Sequence, residues 1–117
     1  MLNRKYYPET HRYILIDFDG TIIDENSFPN IGEFKLLAIT TMKRMLEEGY
    51  KIGIWTARGG DEQKELVMSA LKEKGLDTTQ ILFNEHFDYF LGKYEARSPK
   101  AYADIYIIHF HLLVQKI

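Results

Sequence analysis

The chain has 117 residues and a formal net charge of −2, so it has room for a single domain, residues 1–117, and shows no basic footprint for nucleic acid. Hydrophobic residues make up 45% of it and charged residues 27%, which is typical of a folded globular protein and argues against disorder. It has no cysteine, which excludes disulfides and thiolate metal sites.

Neither end of the chain predicts an export or membrane segment. The N-terminal stretch MLNRKYYPETHRY is polar and does not have the pattern of a signal peptide. The longest apolar run, IYIIHFHLLV, is about half the roughly 20 residues that a membrane helix needs. We therefore expect a soluble protein, and the lack of cysteine suits a cytoplasmic location.

Short β-branched runs alternate along the chain with longer stretches of helical period. The first helical stretch ends at Gly49, and the second has an N-cap at Asp61 and ends at Gly75. The predicted elements are strands over residues 13–18, 50–56, 80–84 and 104–110, a helix over residues 33–48, and a helix from Asp61 to Gly75 that buries Leu66, Val67, Ala70 and Leu71.

This alternation predicts an α/β domain: a three-layer, Rossmann-like arrangement with a mostly parallel sheet covered on both faces by right-handed crossovers. Residues 85–98 give no clear pattern and are expected to form a broken surface helix. In such a sheet, ligands bind beyond the carboxyl ends of the strands, near the point where the strand order reverses. The candidate functional residues are therefore those that follow the strands.

Two aspartates, a glycine and a threonine follow the first predicted strand in the sequence DFDGTI. Asp17 and Asp19 are two residues apart, so in an extended chain their side chains point the same way and repel each other. That arrangement is tolerable if a divalent cation lies between them, or if one keeps its proton and serves as an acid. Gly20 permits a positive φ, and the amides of the turn at Gly20 and Thr21 can cradle an anion.

Polar groups also follow the second predicted strand and precede the last one. Thr56, Ala57 and Arg58 supply a hydroxyl, an amide and a guanidinium, which together suit a phosphate. Lys100 adds a positive charge to the same crevice. With the aspartates, this set suits phosphoryl transfer through an aspartyl-phosphate. Taken singly, Thr56 is more typical of a helix cap, Lys100 of a surface residue, and Arg58 equally of a site residue or an exposed loop charge.

These motifs resemble those of the haloacid dehalogenase (HAD) superfamily over roughly residues 13–107. DFDGTI is similar to its first motif, IGIWTAR to its second, and SPKAYADIYI to its third-motif lysine with the fourth strand. SFPNIGEF is similar to a proline-containing loop of small cap-less bacterial and phage members. The resemblance implies a catalytic core over residues 13–108, no sizeable cap domain, and Mg²⁺-dependent hydrolysis of a phosphomonoester.

By position, the resemblance implies that Asp17 is the nucleophile and a Mg²⁺ ligand. It also implies that Asp19 is the general acid and then the base, with its backbone carbonyl on the Mg²⁺. Thr56 and Lys100 would hold the phosphoryl oxygens, and Arg58 is a candidate for contacting the leaving group. The expected partner is a phosphorylated substrate, which an open crevice would admit at small or large size.

The chain departs from the family pattern at the fourth motif, which places one or two acids directly after the last strand. Ile108 and His109 stand at those positions, and Mg²⁺ binds imidazole poorly. Asp104, at the other end of the strand, matches an aspartate that is structural in relatives. Either the metal site is weakened, or a later residue replaces the ligand, or the reading frame of the C-terminus was disturbed.

Two other interpretations remain open. A degenerate member would bind phosphate or a protein partner without turnover, which agrees with the missing acids. A receiver-like phospho-acceptor also uses Asp, Thr, Lys and Mg²⁺, but its acceptor lies on a later strand, so the order here favours the HAD interpretation. Separately, the aromatic cluster FNEHFDYFLGKY predicts a packing surface, which would serve a homo-oligomer if it lies between subunits.

Overall fold

The computed structural model describes residues 12–87 and 103–108, which contain four strands and two α-helices. Strands and helices alternate along the chain as far as the third strand, and this confirms the predicted α/β class. The elements are β1 (Tyr13–Ile16), α1 (Leu36–Glu47), β2 (Lys51–Ile54), α2 (Gly60–Glu73), a 3₁₀ turn (Thr78–Gln80), β3 (Ile81–Phe83) and β4 (Ile105–Ile107).

The four strands run parallel in the order β3-β2-β1-β4. In this register, Ile14 of β1 lies beside Ile52 of β2 and beside Ile105 of β4. The chain moves outward from β1 through β2 to β3 and then returns to the far side of β1. The strand order therefore reverses between β1 and β4, and such a reversal opens a crevice at the carboxyl ends of the strands.

Every strand is shorter than the sequence pattern predicts. β1 ends at Ile16 rather than at Phe18, because the chain turns there: the Phe18 carbonyl accepts the Ile22 amide at 2.9 Å. β2 ends at Ile54 rather than at Thr56. Asp17, Asp19, Thr56 and Arg58 thus lie beyond the ends of β1 and β2, where the alternation of the strand no longer sets the direction of their side chains.

The sequence signals predicted where both helices end but not where the second one begins. Gly49 and Gly75 take φ values of +89° and +92° just after α1 and α2, so both predicted stops are confirmed. The predicted N-cap of α2 is wrong, because Gly59 occupies the cap and Asp61 lies in the first turn. An aspartate there still interacts favourably with the helix dipole.

The buried stripe of α2 differs from the prediction at three positions. Val67 and Leu71 are buried as expected, but Leu66 is 42% exposed and Ala70 is only partly buried. Gln63 completes the stripe one turn before Val67. A polar amide therefore occupies a core position that an apolar pattern could not predict. Neither helix in the described part of the chain is long and apolar enough to cross a membrane.

The two helices pack on the same face of the sheet. Ile14 of β1 shares a buried cluster with Met42 of α1 and Val67 of α2, because both crossovers run in the same direction along the sheet. Leu15 points to the opposite face and packs against Phe87. Within residues 12–87 and 103–108 no helix covers that second face, so the predicted third layer stays a prediction.

The predicted aromatic packing surface is described only in part. Phe83 and Phe87 are buried in the core of this chain. The remainder of that cluster from residue 88 onward lies outside the described residues. A subunit interface formed by the cluster therefore stays a prediction.

The loop between β1 and α1 folds back over the turn that follows β1. The Asp24 amide donates to the Glu33 carbonyl at 2.9 Å, and the Lys35 amide donates to the Ile22 carbonyl at 2.9 Å. Lys35 also donates from Nζ to the Gly20 carbonyl at 2.8 Å. These bonds tie both ends of the loop to the turn and bring its middle, residues 27–30, next to Arg58.

Candidate active site

A cleft of about 380 Å³ lies at the carboxyl ends of β1, β2 and β4, at the reversal of strand order. Asp17 and Thr56 supply side-chain polar groups in its lining, and much of the rest is apolar or aromatic. Such a mixture is common in sites for small ligands. Its lining among the described residues is Leu15, Ile16, Asp17, Trp55, Thr56, Ala57, Tyr106, Ile107 and Ile108.

Asp17 is the first residue beyond β1 and is half-buried. Its amide donates to the Ile107 carbonyl at 2.9 Å, which extends the pairing of β1 and β4 by one residue. Its Oδ1 accepts the Phe18 amide at 2.9 Å. The backbone thus fixes both the position of Asp17 at the cleft and the orientation of its carboxylate.

The backbone amides of the turn after Asp17 donate hydrogen bonds to carbonyls of the same turn. The Thr21 and Ile22 amides donate to the Phe18 carbonyl at 3.1 and 2.9 Å, and the Gly20 amide donates to the Ile23 carbonyl at 2.8 Å. The amides of Gly20 and Thr21 are therefore engaged within the turn, and an anion cradle formed by the amides of this turn stays a prediction. Gly20 has φ +79°, as expected, and a Cβ there would lie 2.6 Å from Oε1 of Glu25.

Thr21 joins this turn to the end of β4. Its side chain is fully buried, and Oγ1 donates to the Ile108 carbonyl at 2.6 Å. A hydroxyl has a single hydrogen to donate, so that hydrogen is already committed. The structure therefore places Thr21 as a link between two strand ends.

Asp19 forms a bidentate ion pair with Arg58. Nη2 donates to Oδ1 at 2.7 Å and Nε donates to Oδ2 at 2.9 Å. The Arg58 side chain is 1% exposed, whereas that of Asp19 is 31% exposed. The alternative that Arg58 is an exposed loop charge is therefore wrong. The strand pattern predicted that the side chains of Asp17 and Asp19 point the same way. Instead, the Asp19 carboxylate faces Arg58 and is outside the described lining of the cleft, which Asp17 lines.

The remaining donors of Arg58 hold a loop and a helix. Nη1 donates to Oε1 of Gln63 at 2.9 Å, and Nη2 donates to the Asn30 carbonyl at 2.8 Å. The rings of Phe18 and Phe28 each lie 5.2 Å from the guanidinium carbon, at cation–π distance. Neutral acceptors and aromatic faces thus solvate the buried cation, and its charge is balanced by Asp19.

Thr56 is held by backbone bonds at the end of β2. Its Oγ1 accepts the Arg58 amide at 3.2 Å, and its own amide donates to Oδ1 of Asn84 at 2.8 Å. Because the oxygen acts here as an acceptor, the hydroxyl hydrogen can be donated to a ligand oxygen. Ala57 is exposed and lines the same cleft. Thr56 therefore lines the cleft with a hydroxyl that can donate, and its predicted contact with a phosphoryl oxygen stays a prediction.

Asn84 was missed by the sequence reasoning, which assigned it to a strand. It follows β3 with φ +53°, a conformation that Asn adopts more readily than most residues. Its Oδ1 accepts the Thr56 amide and its Nδ2 donates to the Arg58 carbonyl at 3.0 Å. The sequence signal for this role was an asparagine directly after a short strand. Its partners could not be read from the sequence, because they follow a different strand, β2.

The end of β4 carries no acidic side chain among the described residues. Ile108 is 69% exposed there. Asp104 lies at the other end of β4, where its Oδ2 accepts the Tyr13 amide at 3.1 Å and its amide donates to the Tyr13 carbonyl at 2.9 Å. These bonds confirm a structural role for Asp104. Lys100 and His109 lie outside the described residues, so their predicted roles stay predictions.

The described residues include no cluster of three or more His, Asp or Glu side chains around a metal position. The Asp17 carboxylate lies in the cleft, and the Asp19 carboxylate is engaged by Arg58. Mg²⁺ commonly keeps several waters and takes one or two carboxylates together with substrate phosphate oxygens. One carboxylate, that of Asp17, lines the cleft among the described residues, which is compatible with an ion held in this largely hydrated way, and the expected Mg²⁺ stays a prediction.

Comparisons with known proteins bear on the fold. No family model matches the chain, and no curated protein matches it. Among solved structures, a conserved protein from Bacteroides thetaiotaomicron is similar with a TM-score of 0.66 and 26% sequence identity, over 86% of this chain and 77% of that one. The description of that protein names no activity, so this similarity supports an α/β fold shared over most of the chain.

Proposed function

We propose that this protein is a Mg²⁺-dependent phosphomonoester hydrolase of HAD-like, cap-less type that acts through an aspartyl-phosphate. The observation that carries the proposal is the pairing of Asp17 with Thr56 in one cleft at the reversal of strand order. A carboxylate nucleophile beside a hydroxyl donor is a combination that phosphoryl transfer requires. The loop over residues 24–35 folds back on the turn after β1 and, within the described residues, adds no cap over the cleft.

The reaction has two displacements at phosphorus. In the first, the Asp17 carboxylate forms a bond to phosphorus, the bond to the ester oxygen breaks, and Asp19 supplies the proton to the departing alcohol. In the second, Asp19 takes a proton from water, which attacks phosphorus and restores Asp17 as phosphate leaves. Thr56 donates a hydrogen bond to a phosphoryl oxygen in both displacements, and Lys100 would add a positive charge there.

The carboxylate of Asp17 and the backbone carbonyl of Asp19 would hold Mg²⁺. When bound, Mg²⁺ supplies positive charge that offsets the negative charge of the phosphoryl group and of the attacking carboxylate. Both oxygens of the Asp19 carboxylate accept from Arg58 in the free protein, so the role of acid requires this pair to open when the ester binds.

The second candidate function is a degenerate HAD-like domain that binds phosphate or a protein partner without turnover. The observation that favours it is the exposed Ile108 at the end of β4, where the resemblance leads one to expect an acid. In that case, the cleft keeps its phosphate contacts at Thr56 while Mg²⁺ binds too weakly to support the chemistry.

Phosphate release from p-nitrophenyl phosphate in the presence of Mg²⁺ tests the proposal. We expect turnover by the wild type and a loss of at least about 1,000-fold in Asp17→Asn, because the variant lacks the attacking oxyanion at nearly the same volume. Asp24→Asn is the matched control, since it makes the same change at an exposed carboxylate in the loop beyond the turn. Full activity in Asp17→Asn would contradict the proposed mechanism.

A double variant separates the two candidate functions. Wild type without turnover, together with activity in Ile108→Asp/His109→Asp, would show a scaffold whose fourth motif is disabled and would favour the binding role. Activity in the wild type that is independent of Mg²⁺ would contradict the proposed metal requirement.

A further inference from the structure

Two aromatic side chains, Trp55 and Tyr106, line the cleft on the sheet face that carries Leu15. Tyr106 is the register partner of Leu15, and partners in a parallel sheet point to the same face. Trp55 packs against the buried cluster that contains Leu15. Because β2 and β4 flank β1, the two aromatic side chains lie on either side of Asp17, which also lines the cleft.

The spacing of the strands suits one flat group between these two side chains. Neighbouring strands are about 4.8 Å apart, so the backbones of β2 and β4 are separated by about 10 Å across β1. A ring that contacts an aromatic side chain on each of its faces needs about 7 Å, twice the roughly 3.5 Å contact distance between carbon atoms. A single aromatic ring therefore fits the width of the cleft between Trp55 and Tyr106.

The Trp55 ring is supported from outside the cleft, and Tyr106 is accessible. The His86 ring meets Trp55 edge to face, with centroids 5.7 Å apart and an interplanar angle of 69°. Phe87 packs against Leu15 toward the start of β1, so the cleft opens toward its end. The Tyr106 side chain is 42% exposed. One wall is thus already ordered, and the other presents an aromatic surface to a ligand.

The rest of the described lining offers few partners to a polar alcohol. Apart from Asp17 and Thr56, its side chains are aliphatic or aromatic. The hydroxyl groups of a sugar or of glycerol would lose water there and find few hydrogen-bond partners, which is costly. A flat apolar group carries no such cost and gains from burial. The lining therefore favours an aromatic leaving group.

The ion pair of Asp19 favours the same choice on separate grounds. Both carboxylate oxygens accept from Arg58 at 2.9 and 2.7 Å, so proton delivery by Asp19 requires this pair to open. Phenol is a much stronger acid than an alkyl alcohol, so a phenolate departs with little help from a proton donor. Among phosphomonoesters, those of phenols thus depend least on the opening of the pair.

We propose that the substrates of this cleft are phosphate monoesters of phenols, whose ring binds between Trp55 and Tyr106 while the phosphoryl group meets Asp17 and Thr56. This inference rests on the proposed function, because it takes Asp17 as the nucleophile. A carboxylate oxygen of Asp17 bonds to phosphorus, and the bond from phosphorus to the phenolic oxygen breaks. Its electron pair leaves with the phenolate, which takes a proton from Asp19 if the pair has opened and from water otherwise.

Binding of two phosphonates tests the recognition of the ring. Phenylphosphonate and methylphosphonate both resist hydrolysis, and they differ in the ring. With Mg²⁺ present, we expect calorimetry to show that the wild type binds phenylphosphonate about tenfold more tightly. This ratio should fall below about threefold in Trp55→Leu and in Tyr106→Leu, because both variants keep an apolar side chain and lose the aromatic face. Tyr106→Leu, at a partly exposed position, decides the point if Trp55→Leu does not fold.

Tyr50→Leu is the matched control for these variants. Tyr50 directly precedes β2, at the opposite end of that strand from the cleft, and packs against the core. The variant should lower stability and leave the ratio of the two phosphonate affinities unchanged. A fall of the ratio in Tyr50→Leu as large as in Tyr106→Leu would show that the effect follows stability, and it would overturn the inference.

Fluorescence reports the arrival of the ring directly, because Trp55 is the one tryptophan of the chain. At saturation, phenylphosphonate should change the emission of Trp55 more than methylphosphonate does, since its ring would contact the indole. Equal changes with the two phosphonates would place the ring elsewhere and would contradict the proposed binding mode.

Turnover of two esters tests the preference for a phenol. Benzyl phosphate carries the same ring as phenyl phosphate on an alkyl oxygen. We expect kcat/KM to be at least about 100-fold higher for phenyl phosphate, because its leaving group needs less help from a proton donor. Tyrosine phosphate in a short peptide shares this chemistry, so the ester with the higher kcat/KM, that peptide or phenyl phosphate, assigns the source of the phenol.

The outcomes separate this inference from the proposed function. No phosphate release from phenyl phosphate by the wild type would overturn the proposed function, and the phosphonate ratio would still decide whether the cleft recognises an aryl group. In an active enzyme, equal affinity for the two phosphonates, no binding of phenylphosphonate, or an unchanged ratio in both ring variants would overturn this inference alone. Equal turnover of benzyl and phenyl phosphate would overturn the preference for phenols.

Discussion

The side of the cleft formed by the end of β2 and the side formed by the end of β4 differ in how their polar groups are held. Several parts of the chain contact the polar groups of the first side, and few contact those of the second. On the side of β2, Arg58 donates to acceptors in the turn after β1, in the 27–30 loop and in α2. Asn84, which follows β3, donates to the Arg58 carbonyl. On the side of β4, the described residues end at Ile108, whose exposed side chain is apolar.

This difference separates the parts of the proposed chemistry. The contacts for a phosphoryl group and for proton transfer belong to the first side, where nearly every polar atom has a fixed partner. The charge that a metal site needs would come from the second side, where the described chain offers a carbonyl that already accepts Thr21. In the proposed mechanism, the first side would fix the geometry of the reacting groups, and the second would set how tightly Mg²⁺ binds.

The largest expected effect is the loss of Arg58, the centre of the first side. Arg58→Met leaves Asp19, Gln63 and the Asn30 carbonyl without their donor, so the free energy of unfolding should fall by about 3 kcal/mol. Urea denaturation measures this change. Arg44→Met is the control, because it removes an exposed pair with Glu48 at 3.3 Å and should cost less than about 0.5 kcal/mol. Equal losses in the two variants would contradict the contrast between buried and exposed pairs.

The next effect concerns the hydroxyl that the first side presents to the cleft. Thr56→Val keeps the shape but removes the donor to the phosphoryl group and the acceptor for the Arg58 amide, so kcat/KM should fall by about 100-fold. Thr56→Ser keeps the hydroxyl and is expected to stay within about threefold of the wild type. Steady-state kinetics decide the point, and similar activity in the two variants would remove Thr56 from the mechanism.

The smallest expected effect is a gain in Mg²⁺ affinity when a carboxylate is added on the side of β4. Ile108→Asp adds a carboxylate at the end of β4, and Mg²⁺ affinity, measured by calorimetry, should rise by about tenfold because the site gains a charged oxygen ligand. Ile105→Asp makes the same change at the opposite end of β4 and should leave the affinity unchanged. An equal gain in both variants would indicate a general charge effect and would argue against a ligand at Ile108.

Residues near each other in the sequence could be assigned from it with some success. The strands and both helix stops at Gly49 and Gly75 were predicted from such local patterns. The structural role of Asp104, whose partner Tyr13 is far away in the chain, was expected from the family resemblance. The partners of Gln63 and Asn84 could not be predicted, because both side chains bond to groups that the fold brings from other elements. The same reason explains why the partners of Thr21 and Arg58 were not predicted, since they are a carbonyl and a carboxylate from distant parts of the chain.

The sequence alone determined the α/β class and the presence of Asp17 and Thr56 after neighbouring strands, because period and turn chemistry are local properties of a chain. Tertiary structure decided the strand order, which puts those two residues in one cleft, and the direction of Asp19, which is turned toward Arg58. Strand order and ion pairing depend on contacts between residues far apart in the chain, and the energies of those contacts exist only once the sheet and α2 have packed.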